Sequence, residues 1–310
     1  MISRYRDASL FVLLSVLFGI SFVAIKTGLA TLPPLLFAAY RFDLAAILLV
    51  GYAALRHDTW RPQTRTDWLA IVVGAVALVA LNNGLLFLGQ QTTTPAAASV
   101  MYGLNPILAP VFAAALLGQR LAVRGYLGVL LGLVGVVVIV QPSPATLTSG
   151  SVIGQLLVLG AAASVAAGSV LLRRIDAPLA SVPTTAWAMA GGAALLHAAS
   201  LVVGEGIVVP SSTPALVAVG SLAVPSTAAA YPIYFGLIKR IGPVRTNLVA
   251  YLVPVVAALT GWLLLAEPVT LATVAGFLIV LAGVALLERQ VVAEEVARLR
   301  SILSRPVPEE

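Results

Sequence analysis

The sequence predicts an all-α integral membrane protein: ten transmembrane helices arranged as two inverted five-helix repeats. Three observations carry this expectation. They are an apolar composition too rich for a soluble domain, a one-sided distribution of basic residues, and residues that match at a fixed offset of 148. Of 310 residues, 60% are hydrophobic and 10% charged, where a soluble domain carries roughly 25% charged. Mean hydropathy is +1.04. A soluble fold of this size has no interior large enough for that much apolar surface. The absence of cysteine excludes disulfides, thiolate metal sites and a cysteine nucleophile.

A helix needs about 20 mostly apolar residues to cross a hydrocarbon core of about 30 Å. Ten stretches qualify, and their apolar runs are continuous rather than alternating, which argues against barrel strands. The first, about 8–30, is too long for a signal-peptide core, carries Lys26 and leads through Pro33-Pro34 into the next span. The second, about 34–55, holds Arg41 and Asp43; the third, about 68–90, holds Asn82-Asn83-Gly84. The fourth, about 94–117, contains Tyr102-Gly103-Leu104-Asn105-Pro106. The fifth, about 121–140, carries Gly125, Gly128, Gly132 and Gly135, a smooth stripe that lets a neighbouring helix, or a second copy of the chain, approach closely. The sixth and seventh run about 151–172 and 179–203, the latter with Trp187 and His197. The eighth, about 214–238, contains Tyr231-Pro232 and Tyr234; the ninth, about 243–265, contains Tyr251 and Pro254; the tenth, about 270–288, keeps Gly276 and Gly283. The tail from 289 to 310 is charged, with a short cytoplasmic helix or a solvated segment over Val291 to Leu303.

With these spans, sixteen of the 18 basic residues fall on the side of the N-terminus, Arg124 and Arg245 at span ends that face it, and none on the other; the remaining two, Lys26 and Arg41, lie deeper within spans. Lys/Arg bias in short loops sets orientation, so both termini are expected in the cytoplasm. The pI of about 10.0 is then a topology signal, and nucleic acid is not an expected partner. The offset of 148 pairs Phe87 with Phe235, Pro95 with Pro243, Pro106 with Pro254, Leu116-Leu117 with Leu264-Leu265, Gly128 with Gly276 and Gly135 with Gly283. Residues 1–148 and 149–288 are thus expected to be two copies of one unit. Five spans per copy put the copies into the membrane in opposite orientations, the construction of many secondary transporters that work by alternating access.

These features resemble the EamA-type transporters of the drug/metabolite transporter superfamily. The resemblance covers about 1–288 and rests on the five-plus-five repeat, Leu17-Phe18-Gly19 with Lys26, Pro34 with Arg41, Leu104-x-Pro106-x-x-Ala109, Leu252-x-Pro254-x-x-Ala257, and the span ends Leu117-Gly118-Gln119 and Leu265-Ala266-Glu267. The family commonly has Trp-Gly in the first span, where this chain has Phe18-Gly19, and a carboxylate where it has Gln119. The resemblance implies export of small metabolites such as amino acids, from a multi-pass protein of the cytoplasmic membrane.

Ionisable groups within a membrane default to functional hypotheses. Lys26 reads as a cavity cation for a carboxylate, or as a side chain snorkelling to the outer interface. Arg41 reads as a substrate-carboxylate ligand or as a tie to backbone carbonyls of neighbouring helices. Asp43, the one deep carboxylate, is the candidate proton carrier, or it neutralises an arginine or lysine on a neighbouring helix. Asn82 and Asn83 offer donors and acceptors to a polar substrate head, or to helix–helix packing. Tyr231 and Tyr234, with Tyr102, Tyr251 and Trp187, are candidate aromatic walls. The offset places Tyr231-Pro232 opposite Asn83-Gly84. Glu267 reads as a cap or a rim residue at the outer end of the ninth span. No metal site or cofactor is expected. The expected partners are a small-molecule substrate and the lipid bilayer, the chain acting as monomer or homodimer. There is no Gly-x-x-x-x-Gly-Lys loop and no His-Glu-x-x-His. A secondary transporter, working as an exporter, is therefore the first reading, a passive channel or membrane scaffold the second, and an intramembrane enzyme the last.

The topology is checked with single cysteines in the cysteine-free chain. An impermeant thiol reagent applied to intact cells should label Ser143→Cys and Ser211→Cys but not Thr64→Cys. Labelling of Thr64→Cys without Ser143→Cys inverts the assignment.

Overall fold

A computed structural model describes residues 2–118, 123–141, 150–231, 233–234, 237, 246 and 249–287. Among these every regular element is helical. Six helices are long and apolar enough to cross a membrane: Ser9–Gly28, Pro34–Arg56, Arg65–Gln90, Pro95–Leu117, Ser151–Arg174 and Ser181–Val202. Four apolar helices are shorter: Gly125–Val140, Thr213–Ala229, Val249–Leu265 and Leu271–Leu286. The chain is a multi-pass, all-α membrane protein. The expected tail helix over Val291 to Leu303 lies outside the described residues.

Helix α1 (Ile2–Gly28) leads into α2 (Pro34–Arg56), which starts on Pro34, where a missing N–H costs nothing. The next free N–H groups, of Leu35 and Leu36, donate to the two carboxylate oxygens of Glu205 at 3.0 and 2.9 Å, and Ser200 Oγ donates to the same carboxylate at 2.8 Å. Glu205 follows α9 (Ser181–Val202), so a loop of the second half caps a helix of the first. A carboxylate at a helix N-terminus is favoured by the backbone dipole as well as by the hydrogen bonds.

The third crossing is one path in three parts: α3 (Arg65–Val73), a π-helical segment (Gly74–Leu81) and α4 (Asn82–Gln90). Thr64 and Asp67 form a capping box at its start, and the other Asp67 oxygen accepts the Leu179 N–H at 2.9 Å just before α9. The fourth crossing is broken. α5 (Pro95–Tyr102) stops at Gly103-Leu104, and α6 (Asn105–Leu117) restarts on Asn105-Pro106 and ends at Gly118 with φ +66, the left-handed conformation glycine adopts without strain. The remaining helices are α7 (Val123–Val140), α8 (Gly150–Arg174), α9, α10 (Thr213–Ala223) with a second π-helical segment (Val224–Ala229), α11 (Val249–Leu265) and α12 (Leu271–Leu287).

Element boundaries recur at the sequence offset. α3 and α10 start at 65 and 213, the π segments end at 81 and 229, α6 and α11 end at 117 and 265, and α7 and α12 start at 123 and 271. Helices α7 and α12 pack on one another through glycines. A Cβ on Gly135 would lie 2.9 Å from the Gly276 carbonyl oxygen, and one on Gly283 would lie 2.8 Å from that of Gly128. The Gly128–Gly283 and Gly135–Gly276 contacts mean that α7 and α12 run antiparallel, and the glycine stripe is used inside the chain. The core that fills the bundle runs through Phe37, Phe42, Phe87, Met101, Leu104 and Leu222, all nearly inaccessible.

The Glu205 cap sets a stability test. Glu205→Ala leaves two backbone N–H groups and a hydroxyl without their acceptor, a cost of about 1–3 kcal/mol. Thermal unfolding of the purified protein in detergent should show a lowered midpoint, with Glu205→Gln in between. An unchanged midpoint for Glu205→Ala removes the cap from the account.

Candidate functional site

The site is built around Arg41, one third of the way along α2. Its side chain is only 8% exposed, and Nε donates to Thr227 Oγ1 at 3.1 Å while Nη1 donates to Asn83 Oδ1 at 3.3 Å. Its guanidinium carbon lies 4.9 Å from the centre of the Phe42 ring. Tyr231 and Tyr102 are within electrostatic reach of the cation. Among the described residues no carboxylate pairs with it. A buried cation is costly unless neutralised, so the arrangement is one anion short.

Asn83 follows the first π segment. Its amide donates to Val79 O at 2.9 Å and Leu78 O at 3.4 Å, which turns its carbonyl oxygen to Arg41. Asn82 donates to Leu78 O at 3.1 Å, and its own Oδ1 is buried with no hydrogen-bond partner among the described residues. Tyr102 ends α5 at the helix break, with the side chains of Asn82 and Asn105 in hydrogen-bonding range and Phe22 edge-on at 6.0 Å. Asn105 Oδ1 is likewise buried and unpartnered. The group therefore joins Arg41, Asn82, Asn83, Tyr102 and Tyr231, and Tyr234 lies within electrostatic reach of Tyr231. Two residues that touch this group, Asn105 and Thr227, are not among the candidates the sequence singles out. Asn105 was read only as part of a proline motif, and its signal is the Gly103–Pro106 break that exposes backbone at that depth. Thr227 gave no signal, because a threonine in an apolar run reads as a neutral helix residue.

Other candidates sit elsewhere. Lys26 donates to the carbonyls of Gln90, Gln91 and Thr93, each at 3.2 Å. Its three N–H groups are thus spent on the end of α4 and the turn after it, the role of a C-terminal cap. Gln90 adds a second tie from this turn to α1, its amide donating to Phe22 O at 2.8 Å. Asp43 pairs with His197 of α9 at 2.7 Å, and both side chains are more than a third exposed, on a different face of α2 from Arg41. The sequence reading sets an arginine or lysine of another helix beside Asp43; the structure places a histidine there instead, which carries charge only when protonated. Tyr40 meets the His197 ring edge-on at 5.7 Å. Trp187 stacks on Trp60, 6.0 Å between ring centres and 6° from parallel, and donates its indole N–H to Trp60 O at 3.0 Å, where α3 and α9 begin. Tyr251 is half-buried against the core. Glu267, in the turn between α11 and α12, has one buried oxygen without a hydrogen-bond partner. Burial pushes its carboxyl above the ordinary glutamate range, and nearby Lys26 pulls it the other way.

The chain matches the model of the EamA-like transporter family twice, over residues 7–141 and again over 152–289. It belongs to the EamA-like transporter family. The uncharacterized transporter YvbV of Bacillus subtilis (strain 168) is 27% identical over 297 residues, 96% of each chain. The uncharacterized inner membrane transporter YedA of Escherichia coli (strain K12) is 30% identical over 249 residues, 80% of this chain and 79% of its own. A solved crystal structure with 21% identity covers 92% of this chain and 97% of its own at a TM-score of 0.65, a likeness of fold. This EamA-like chain is therefore a relative of transporters. Its polar groups cluster at the helix break and the two π segments, where backbone in a membrane is free to line a site.

Asp43 gives the coupling test. In proteoliposomes, either Asp43→Asn abolishes the response of transport to an imposed pH gradient while leaving counterflow, or the parent shows no such response. An unaltered pH-gradient response in folded protein takes Asp43 out of coupling.

Proposed function

We propose that this transporter is a secondary exporter of small amphipathic metabolites that carry a carboxylate, amino acids first, and that it works by alternating access between two inverted five-helix repeats. The observation that carries this reading is Arg41, a buried cation with hydrogen bonds to two neutral side chains and no carboxylate paired with it among the described residues. A substrate carboxylate supplies the missing charge, and planar guanidinium suits it because the two can join through paired N–H···O bonds. The unpartnered oxygens of Asn82 and Asn105 are acceptors for the amino group of the same molecule. Tyr102, Tyr231 and Tyr234 bring apolar ring surface with a polar tip.

The inverted arrangement is supported by the recurring boundaries, by the antiparallel glycine contacts of α7 and α12, and by the two-block family match. The placement of both termini in the cytoplasm rests on the basic-residue partition, and the direction of transport, export, is what the resemblance to EamA-type transporters implies. Asp43 with His197 is the proposed coupling group.

Two measurements test this. Cells making the protein should survive otherwise toxic doses of its amino-acid substrates, and radiolabel counterflow should show trans-stimulation, which a passive channel lacks. Asn83→Ala and Tyr231→Ala should raise the half-saturating concentration by up to about tenfold, the worth of a hydrogen bond of about 0.5–1.5 kcal/mol, without lowering the amount of folded protein. Arg41→Gln should lose more than either. Unchanged affinity in all three folded variants moves the site elsewhere.

A further inference from the structure

The two π-helical segments stand at matching places in the two halves, ending at Leu81 and Ala229. A π segment interrupts the regular helical ladder and is found disproportionately where a helix must serve a function. Each is tied by a serine hydroxyl to the helix packed on it. Ser164 of α8 donates to Ala77 O in the first at 2.7 Å, and Ser226 of the second donates to Leu17 O of α1 at 3.0 Å. Between them lies Arg41. Its Nε holds Thr227, inside the second segment, and Thr227 Oγ1 in turn donates to Leu222 O at 2.8 Å. Its Nη1 holds Asn83, whose amide is bonded to Val79 O inside the first segment. One guanidinium therefore bridges the irregular segments of both halves, through groups that are all at least nine-tenths buried.

We infer that Thr227 is a positioning residue for transport: it holds Arg41 as a tie between the two π segments, and an arriving carboxylate takes its place at Nε. This rests on Arg41 being the carboxylate site. A carboxylate that engages the guanidinium side-on uses Nε and the adjacent Nη, and so takes the proton that Thr227 now accepts. Thr227 then keeps only its bond to Leu222, the second π segment is no longer fastened to Arg41, and the first is left on Asn83 alone. Binding at Arg41 thereby loosens the two segments together. That joint release is what a site serving two half-molecules needs if occupancy is to change the conformation of both, since a ligand shifts an equilibrium only through contacts that differ between the states.

Hydrogen–deuterium exchange on the full chain in lipid nanodiscs tests this, read on peptides covering 74–83 and 222–231. Thr227→Val keeps the volume and removes the acceptor. It should speed exchange in both peptides by about tenfold, the effect of one charge-assisted hydrogen bond on local opening, and Thr227→Ser should restore parental rates. A mixture of the common amino acids at millimolar concentration, added to the parent, should speed the same two peptides and should do nothing to Arg41→Gln. If Thr227→Val loosens 222–231 and leaves 74–83 unchanged, its role is local and the tie is overturned while the carboxylate site stands. If Thr227→Val does not fold, Arg41→Gln takes its place, and parental exchange at 74–83 in that variant overturns the tie. A response to amino acids that survives Arg41→Gln overturns the carboxylate site instead.

Discussion

Hydrocarbon offers no hydrogen-bond partner, so every backbone N–H and C=O that leaves the regular helical ladder must find one inside the protein. The structure answers this demand at several irregular places. The start of α2 is satisfied by Glu205, the end of α4 by Lys26, the start of α5 by Thr94, and the first π segment by Ser164. Several of these bonds join parts of the chain far apart in sequence, Glu205 to α2 and Ser164 to Ala77 among them. The need to satisfy the backbone is therefore also what staples the two halves together. Lys26 is the clearest case: a cation within a crossing whose use is to pay the debt of a helix end.

The same low dielectric sharpens what is left over. Among the described residues, once Lys26 and Glu205 are accounted for, Arg41 is the intramembrane cation held by neutral side chains alone, and Asn82 and Asn105, grouped with it around Tyr102, carry buried side-chain oxygens that accept nothing. In water such a residue would be unremarked. In a bundle crossing hydrocarbon it marks a place where something charged and hydrogen-bonding belongs, and it lies where two crossings depart from ideal helix.

Much of the fold was legible in the sequence, because crossing a bilayer needs long apolar runs and the basic residues between them have no freedom to distribute evenly. Most of the expected starts and ends agree with the helices within a few residues, although the first helix begins earlier, at Ile2, and the expected end near 238 and start near 243 lie outside the described residues; the Gly128, Gly135, Gly276 and Gly283 spacing anticipated a close helix pair. The π segments were not legible: a five-residue hydrogen-bond register has no composition of its own, and Gly74–Leu81 reads as any apolar helix. For the site, Arg41, Asn82, Asn83, Tyr102 and Tyr231 were legible as polar groups at span depth. Which of them meet depends on the rotation of each helix, which a run of alanine, valine and leucine does not encode. Trp187 joined Trp60 for that reason, and Lys26 turned to carbonyls that only the fold brings within reach. Glu205, in a loop of small residues, had no pattern to give away that it caps a helix 170 positions earlier.

The scaffold and the chemistry follow different symmetries. At the offset that matches the helices, the counterpart of Asn83 is Tyr231, and that of Arg41 falls within Ala188-Met189-Ala190. The fourth crossing breaks at Gly103-Leu104, while α11, its counterpart, is continuous through Tyr251-Leu252. For the proposed substrate with one carboxylate, a symmetric site would offer a second cation, and the surplus charge would stay buried and unpaired between turnovers. Placing one arginine near the junction, with the hydrogen-bonding amide from one half and the threonine and tyrosine from the other, avoids that penalty and still lets both halves sense the same ligand. The two copies can then diverge in every residue that touches substrate, while the glycines, prolines and helix ends that set their shape stay matched.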